Sequence, residues 1–363
     1  MRHSPRTSLL VLTTAAALAA GTGAAVARPA WSPAPPPADP VTVADGLVTP
    51  LSFDVTSRGD VYVGQAFAGA LTHVAKDGTR HDLVTGAPEV AAVSIRKGIV
   101  TWAESIHEEG TFAPVSAVLT RLHPDGTTTE VDLLAYESMT NANGDVTYGI
   151  LGLSDECTAT LPPFLQPYTG GVDSHPYGSV SVAGGTYVAD AGANAVLWVS
   201  DDGDVSTVAV LPPTVVDLDA DMVAAVGLDP CVSEGEAWLE PVPTDVELGH
   251  DGHLYVSTLP GGPEDGSLGA NGSVFRVAPA SGEVVLVASG FAGATNLAVA
   301  PQGTIYVAEM FGGKVSAISR DGTVSTALEI AEPAAVEYHA GRLYVSAGVF
   351  TMPGTVVRLM SFR

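Results

Sequence analysis

The sequence predicts an all-β fold: a six-bladed β-propeller of four-stranded blades, its ring closed by the N-terminal strand completing the last blade. Three observations carry this. A short string recurs along the chain, each copy is embedded in a run of strand signals, and the last copy lacks a strand that the front of the chain can supply.

The string is a Gly turn, an apolar residue, usually Tyr, then Val and two small or polar residues. It reads GDVYVGQ at Gly59–Gln65, GGTYVAD at Gly184–Asp190, GHLYVST at Gly252–Thr258, GTIYVAE at Gly303–Glu309 and GRLYVSA at Gly341–Ala347. A degenerate sixth copy, GIVTWAE, stands at Gly98–Glu104. Repetition at this spacing signals an array of one supersecondary unit. An apolar strand precedes each copy, as at Leu297 to Ala300, and a third follows, as at Val274 to Val277 or Val315 to Ile318. Then comes a turn (KDGT, PDGT, DDGD, ASGE or RDGT) and a fourth alternating strand, as at Val205 to Val210. Asx-Gly turns between strands are hairpin chemistry, because Gly accepts the positive φ that such turns need. Four antiparallel strands repeated radially make a propeller. The last unit ends after its third strand, and Val41 to Leu47 reads like the end of a unit, so it is expected to close the ring and remove two exposed edges. The repeated tyrosines (Tyr62, Tyr187, Tyr255, Tyr306, Tyr344) follow the repeat and are expected in the core.

Ahead of this domain, Arg2 and Arg6 precede an apolar run from Leu9 to Val26, and Ala25-Val26-Ala27 offers a small-residue cleavage pattern. Residues 1–27 are therefore expected to be a signal peptide, an uncleaved anchor being the alternative. Six prolines between Pro29 and Pro40 make 28–40 a stiff linker, and 41–363 the propeller domain with insertions near 134–175 and 212–241. The formal charge is −25, and losing Arg2 and Arg6 takes it to −27. Such a surface repels nucleic acid and anionic lipid and suits cationic partners or divalent metal, while also serving solubility. No membrane span is expected after signal cleavage, and the protein is placed outside the cell or in its envelope. Cys157 and Cys231 are the only cysteines. In an exported chain they form a candidate disulfide, two buried free thiols being the other reading.

Several stretches resemble the ScyD/ScyE family of exported NHL-like bacterial propellers. They are VDSHPYG (Val172–Gly178), PVPTDVELG (Pro241–Gly249), LPGGPEDGSLGANGSVFRV (Leu259–Val277) and GFAGATNLAVAPQGTIYVAEMFGGKVSAI (Gly290–Ile318). The resemblance spans nearly everything after the linker. It implies an exported propeller and brings no catalytic motif with it.

In a propeller the turns between strands one and two and between three and four share one face. Here they are uniformly short. The long connections (Ser105 to Ser116, Leu134 to His175, Pro212 to Pro241, Leu259 to Gly272, Gly348 to Gly354) all fall on the other face, where a rigid scaffold presents binding sites. Asp173, His175 and Tyr177 in one such connection, and Glu264 and Asp265 in another, are the candidate ligand-facing residues. The last residue of each repeated string is expected near the channel rim, where Glu104, Asp190 and Glu309, joined by Asp245 and Asn296, supply oxygen ligands of the kind Ca²⁺ takes. The competing reading is that acidic residues at strand ends cap loop amides. His107, Glu108 and Glu109 lie in one loop and His175 in another near Asp173, so a zinc site is one reading. Adjacent loop residues without regular metal-ligand spacing read instead as a solvated run, and His175 beside Pro176-Tyr177 as packed or hydrogen-bonded at a blade junction. Glu337 and His339 alternate along a strand and read as structural.

No HExxH, GxSxG, P-loop or paired CxxC occurs. The leading expectation is an extracellular propeller that binds a small molecule or protein on its loop-rich face. The alternative is a metal-dependent hydrolase or lactonase with a divalent cation such as Ca²⁺ at the channel mouth. The sequence shows no general base separate from those ligands.

Overall fold

The Gly–apolar–Tyr–Val string folds as the second strand of its sheet each time it occurs. Its leading glycine takes a positive φ in every first hairpin, from Gly59 at +90° to Gly341 at +77°, which an L side chain resists. The computed structural model describes residues 40–263, 266–351 and 353–359. The expected signal peptide and all but the last residue of the linker lie outside them, as do Glu264 and Asp265.

The described residues are mostly β, in seven four-stranded antiparallel sheets rather than six. The first comprises Pro50–Val55, Val61–Gln65, Ala70–Val74 and Arg80–Val84, in that order. The second is Ala91–Arg96, Ile99–His107, Pro114–Leu122 and Thr128–Asp132. The third is Pro176–Val182, Gly185–Asp190, Ala195–Ser200 and Val205–Val210. Pro243–Leu248, Leu254–Thr258, Gly272–Val277 and Val284–Phe291 make the fourth. Ala294–Val299, Ile305–Glu309, Lys314–Ile318 and Val324–Glu329 make the fifth. The sixth is Val336–His339, Arg342–Ala347 and Gly354–Leu359, and its outer strand is Val41–Leu47 from the front of the chain. Leu47 and Ala44 bury against Phe53, Val61, Tyr344 and Val356, so this closing strand belongs to the core.

The first strand of each of these sheets packs against the first strand of the next, and Val336–His339 returns to Pro50–Val55. Side chains clasp these neighbours together. Ser52 Oγ accepts the Val93 amide, Asp245 Oδ2 the Leu297 amide at 3.1 Å, and Asn296 Oδ1 the Val336 amide at 2.7 Å. In the other direction, Thr244 and Thr295 donate their hydroxyls to the Ala294 and Ala334 carbonyls. A buried amide left without its acceptor costs about 1–3 kcal/mol, so these polar residues are structural fasteners. Gly178, at the equivalent position of the third sheet, has no side chain because a Cβ there would meet Asp245 Cα at 2.5 Å. Of the repeated tyrosines, Tyr306 and Tyr344 are buried in the core as expected, whereas Tyr62, Tyr187 and Tyr255 are half-buried and pack against the edges of other clusters.

The seventh sheet, Tyr168–Thr169, Thr147–Leu151, Glu236–Leu239 and Thr214–Asp217, is built wholly from the two large insertions. They fold on each other around Ile150, Leu161, Val223 and Val232, and the Cys157–Cys231 disulfide joins them. That bond spans 74 residues, a loop whose closure stabilises by about 4 kcal/mol in the chain-entropy account. Replacing both cysteines with serine is expected to lower the melting temperature of this unit first. Hydrogen exchange at Ile150 and Ala237 would report it. The segment Ser105 to Ser116, expected as a loop, instead extends the second sheet's central hairpin as far as His107 and Pro114.

Candidate functional site

The predicted rim residues do not converge. Asp190 accepts Ser174 Oγ at 2.6 Å, the His175 amide at 2.7 Å and the Ala193 amide at 3.1 Å. Glu309 accepts the Ala292 amide and the Ser316 hydroxyl, and Gln65 accepts the Val48 amide from the equivalent position. In each case the side chain turns back to cap the connection entering its own sheet. Glu104 accepts Trp102 Nε1 instead. Asp245 and Asn296 are the inter-sheet clasps described above. Among the described residues no group of three or more His, Cys, Asp or Glu could hold a metal ion.

An apolar cluster gathers at strand ends and connections on the loop-rich side. Leu51, Ala66, Met310, Ala334 and Val349 form one buried cluster with Tyr177 packed on it. The five come from the fifth, sixth and first sheets, which are neighbours in the ring, and Tyr177 reaches them from the third. Nearer the plain face are four carboxylates, Asp54, Asp245, Glu247 and Glu337, from the first, fourth and sixth sheets. Desolvation drives all of them up: Asp54 to about 6, Asp245 to about 7, and Glu247 and Glu337 well above the ordinary glutamate value. Their mutual repulsion adds to this for Asp245, Glu247 and Glu337.

The loop-rich face carries a more chemically equipped cluster. His107, at the end of the extended hairpin, shares a 2.9 Å hydrogen bond with Asp173. His175 shares another of 2.9 Å with Glu89, in the connection before the second sheet. The two imidazole rings lie 5.4 Å apart, and Tyr177 meets His175 edge-on at 6.0 Å. The side chains are 23% exposed for His107 and 31% for His175, so the pairs reach solvent from a partly enclosed position. Burial works against a charged His175, but Glu89, with Asp190 and Asp173, overrides it and lifts His175 above the usual histidine value. Behind them Glu137, on the helix Leu133–Thr140, is buried and accepts the Ala142 amide. Burial raises it to about 7, and Asp190 and Asp173 push the same way. The cluster can therefore exchange protons near neutral pH and offers several carboxylates to a donor or cation.

Of the expected ligand-facing residues, the structure brings Asp173, His175 and Tyr177 together. Sequence reasoning missed Glu89 and Glu137, and read His107 only as part of a solvated run. It also missed an aromatic signal. Phe67, Phe112, Phe311 and Phe350 are exposed, and all lie in connections between second and third strands on this face. Phe164 is exposed in the first large insertion, whereas Phe53, Phe275 and Phe291 are buried. The strings AFAG and MFGG after two of the repeats could have revealed the pattern.

No family model matches the chain, and no curated protein does. Solved structures similar to it are propeller proteins. A streptogramin B lyase shares 14% identity, with 89% of this chain and 97% of that one covered at a TM-score of 0.51. The PQQ-bound aldose sugar dehydrogenase of Streptomyces coelicolor shares 13%, covering 90% and 99% at 0.53. A putative oxidoreductase (glucose dehydrogenase) of Thermus thermophilus shares 14%, covering 89% and 99% at 0.55. At such identities the likeness shows a shared β-propeller fold and nothing of activity.

Proposed function

We propose that this chain is an exported six-bladed propeller, with the seventh sheet as an accessory, that binds a small molecule or protein on its loop-rich face. The observation that carries the reading is the pair of imidazole–carboxylate hydrogen bonds, with rings 5.4 Å apart, on the face that displays the exposed phenylalanines. Carboxylates outnumber the imidazoles there, and the whole chain carries −25. The favoured ligand therefore presents an amine or another strong hydrogen-bond donor beside an apolar surface. The resemblance to exported ScyD/ScyE propellers accords with this placement outside the cell or in its envelope.

Ligand-observed NMR against fragments bearing primary amines tests the reading, with matched carboxylic acids as controls. Amines are expected to bind, and Glu89→Gln or Asp173→Asn to weaken them about five-fold or more, in line with the loss of one charge-assisted contact. Binding that ignores both substitutions, or acids preferred to amines, would contradict it. The metal-dependent alternative has fewer supports, because its five expected donors are engaged elsewhere. A melting temperature unchanged by chelator, with no metal in the purified chain, would remove that alternative.

A further inference from the structure

The plain face, whose turns are all short, carries a cavity of about 540 Å³ between the fourth and fifth sheets. This size lies within the range of small-molecule sites. Its walls include Val285, Leu286, Val299, Ile305 and Ile318, and its rim is formed by the turns at Gly249–Asp251, Pro301–Gly303 and Ser319–Gly322. Leu286 is 54% exposed and its neighbour Val285 38%, so the cavity wall presents apolar surface to solvent.

Two arginines, Arg276 and Arg320, line the same cavity. The chain has 40 acidic residues against 15 lysines and arginines, so carboxylates are plentiful. Arg80 pairs with Asp45, and Lys314 approaches Glu309. Arg276 and Arg320 do neither: among the described residues no hydrogen bond or ion pair engages either guanidinium. Carboxylates are close at hand, since Asp251 and Asp321 line the cavity too. Both are occupied in their own turns. Asp251 accepts the His253 amide and the Tyr255 hydroxyl, and Asp321 accepts the Ser319 hydroxyl and the Thr323 amide. Two cations are thereby kept unpaired beside an apolar wall.

We propose that this cavity is a second binding site, for a small organic anion with an apolar body: its acidic group meets Arg276 and Arg320, and its body covers Leu286 and Val285. It is separate from the loop-rich face and selects ligands of opposite charge. The probe is 1-anilinonaphthalene-8-sulfonate, an aromatic anion whose fluorescence rises on leaving water, with its neutral analogue N-phenyl-1-naphthylamine as control. Both are titrated into the folded chain, with circular dichroism confirming the fold of each variant. The anion is expected to bind at one site per chain, and Arg276→Gln with Arg320→Gln to weaken it about ten-fold. The neutral analogue should change less than about two-fold, because its apolar contacts remain. Leu286→Glu, at an exposed position, should abolish both. Absence of saturable binding, unchanged anion affinity in the double arginine variant, or equal loss of both probes there would overturn the proposal.

Discussion

Deleting Val41–Leu47 is expected to prevent stable folding, although it removes only one outer strand. Leu47 is 2% exposed and Ala44 1%, and both are packed with residues of the first and sixth sheets. Losing one buried leucine alone costs about 2–5 kcal/mol. The deletion also strips Gly354–Leu359 of the backbone partners on its outer edge and leaves that edge open where the chain's two ends had closed the ring. The total approaches the whole stability of a typical domain, about 5–15 kcal/mol. A cut that ends before Val41 should leave the melting transition intact. Circular dichroism melts of the two truncations distinguish these outcomes, and Leu47→Asp should reproduce the deletion without shortening the chain.

The second large effect is set by pH. Asp54, Asp245, Glu247 and Glu337 hold their protons to higher pH in the folded chain than in the unfolded one, chiefly because they are desolvated. Between the unfolded carboxylate value and the folded ones, the native state binds more protons, so stability falls as pH rises. The stabilising contribution is complete below about pH 4 and is lost as pH climbs through about 6 to 7 and beyond. The protein should therefore melt higher at pH 5 than at pH 8. Asp245→Asn isolates the cause, because Asn296 already shows that an amide oxygen can clasp the next strand. This variant should gain about 1–4 kcal/mol at pH 8, little at pH 4, and show a shallower pH slope. Asp245→Ala removes the clasp as well and should be destabilised at low pH, where charge no longer matters. If Asp245→Asn were destabilised at pH 8, the account of the channel would be wrong.

These residues also show how far the sequence is legible. Hairpin chemistry is local, so the recurring glycine and tyrosine positions revealed the strand order, the face that holds the long connections, and the closing strand. Direction of a side chain is not local. Asp190 and Glu309 stand at the ends of their strands as expected, and of the two readings open for them the hydrogen bonds match the cap: each turns back to the connection before its sheet. A strand-end carboxylate aimed at the axis would have the same spelling. Asp54, Glu247 and Glu337 were hidden for a related reason: they lie far apart in sequence, and only ring closure lets them repel one another. The seventh sheet escaped because Thr147–Leu151 pairs with Glu236–Leu239 across two insertions, with no hairpin turn to announce it. Only the cysteine pair hinted that those loops meet. His107 was discounted for its irregular spacing, yet its partners Asp173 and His175 come from another insertion altogether.

The claim at the centre of this account is that the loop-rich face recognises its ligand through the two imidazole–carboxylate pairs. Crystals of the chain lacking its first 27 residues, soaked with a library of primary-amine fragments, address it most directly. The account predicts bound fragments within hydrogen-bond reach of Glu89 or Asp173, with their apolar parts toward Phe112. Amine fragments found only elsewhere on the molecule, with this cluster empty at saturating concentration, would contradict it.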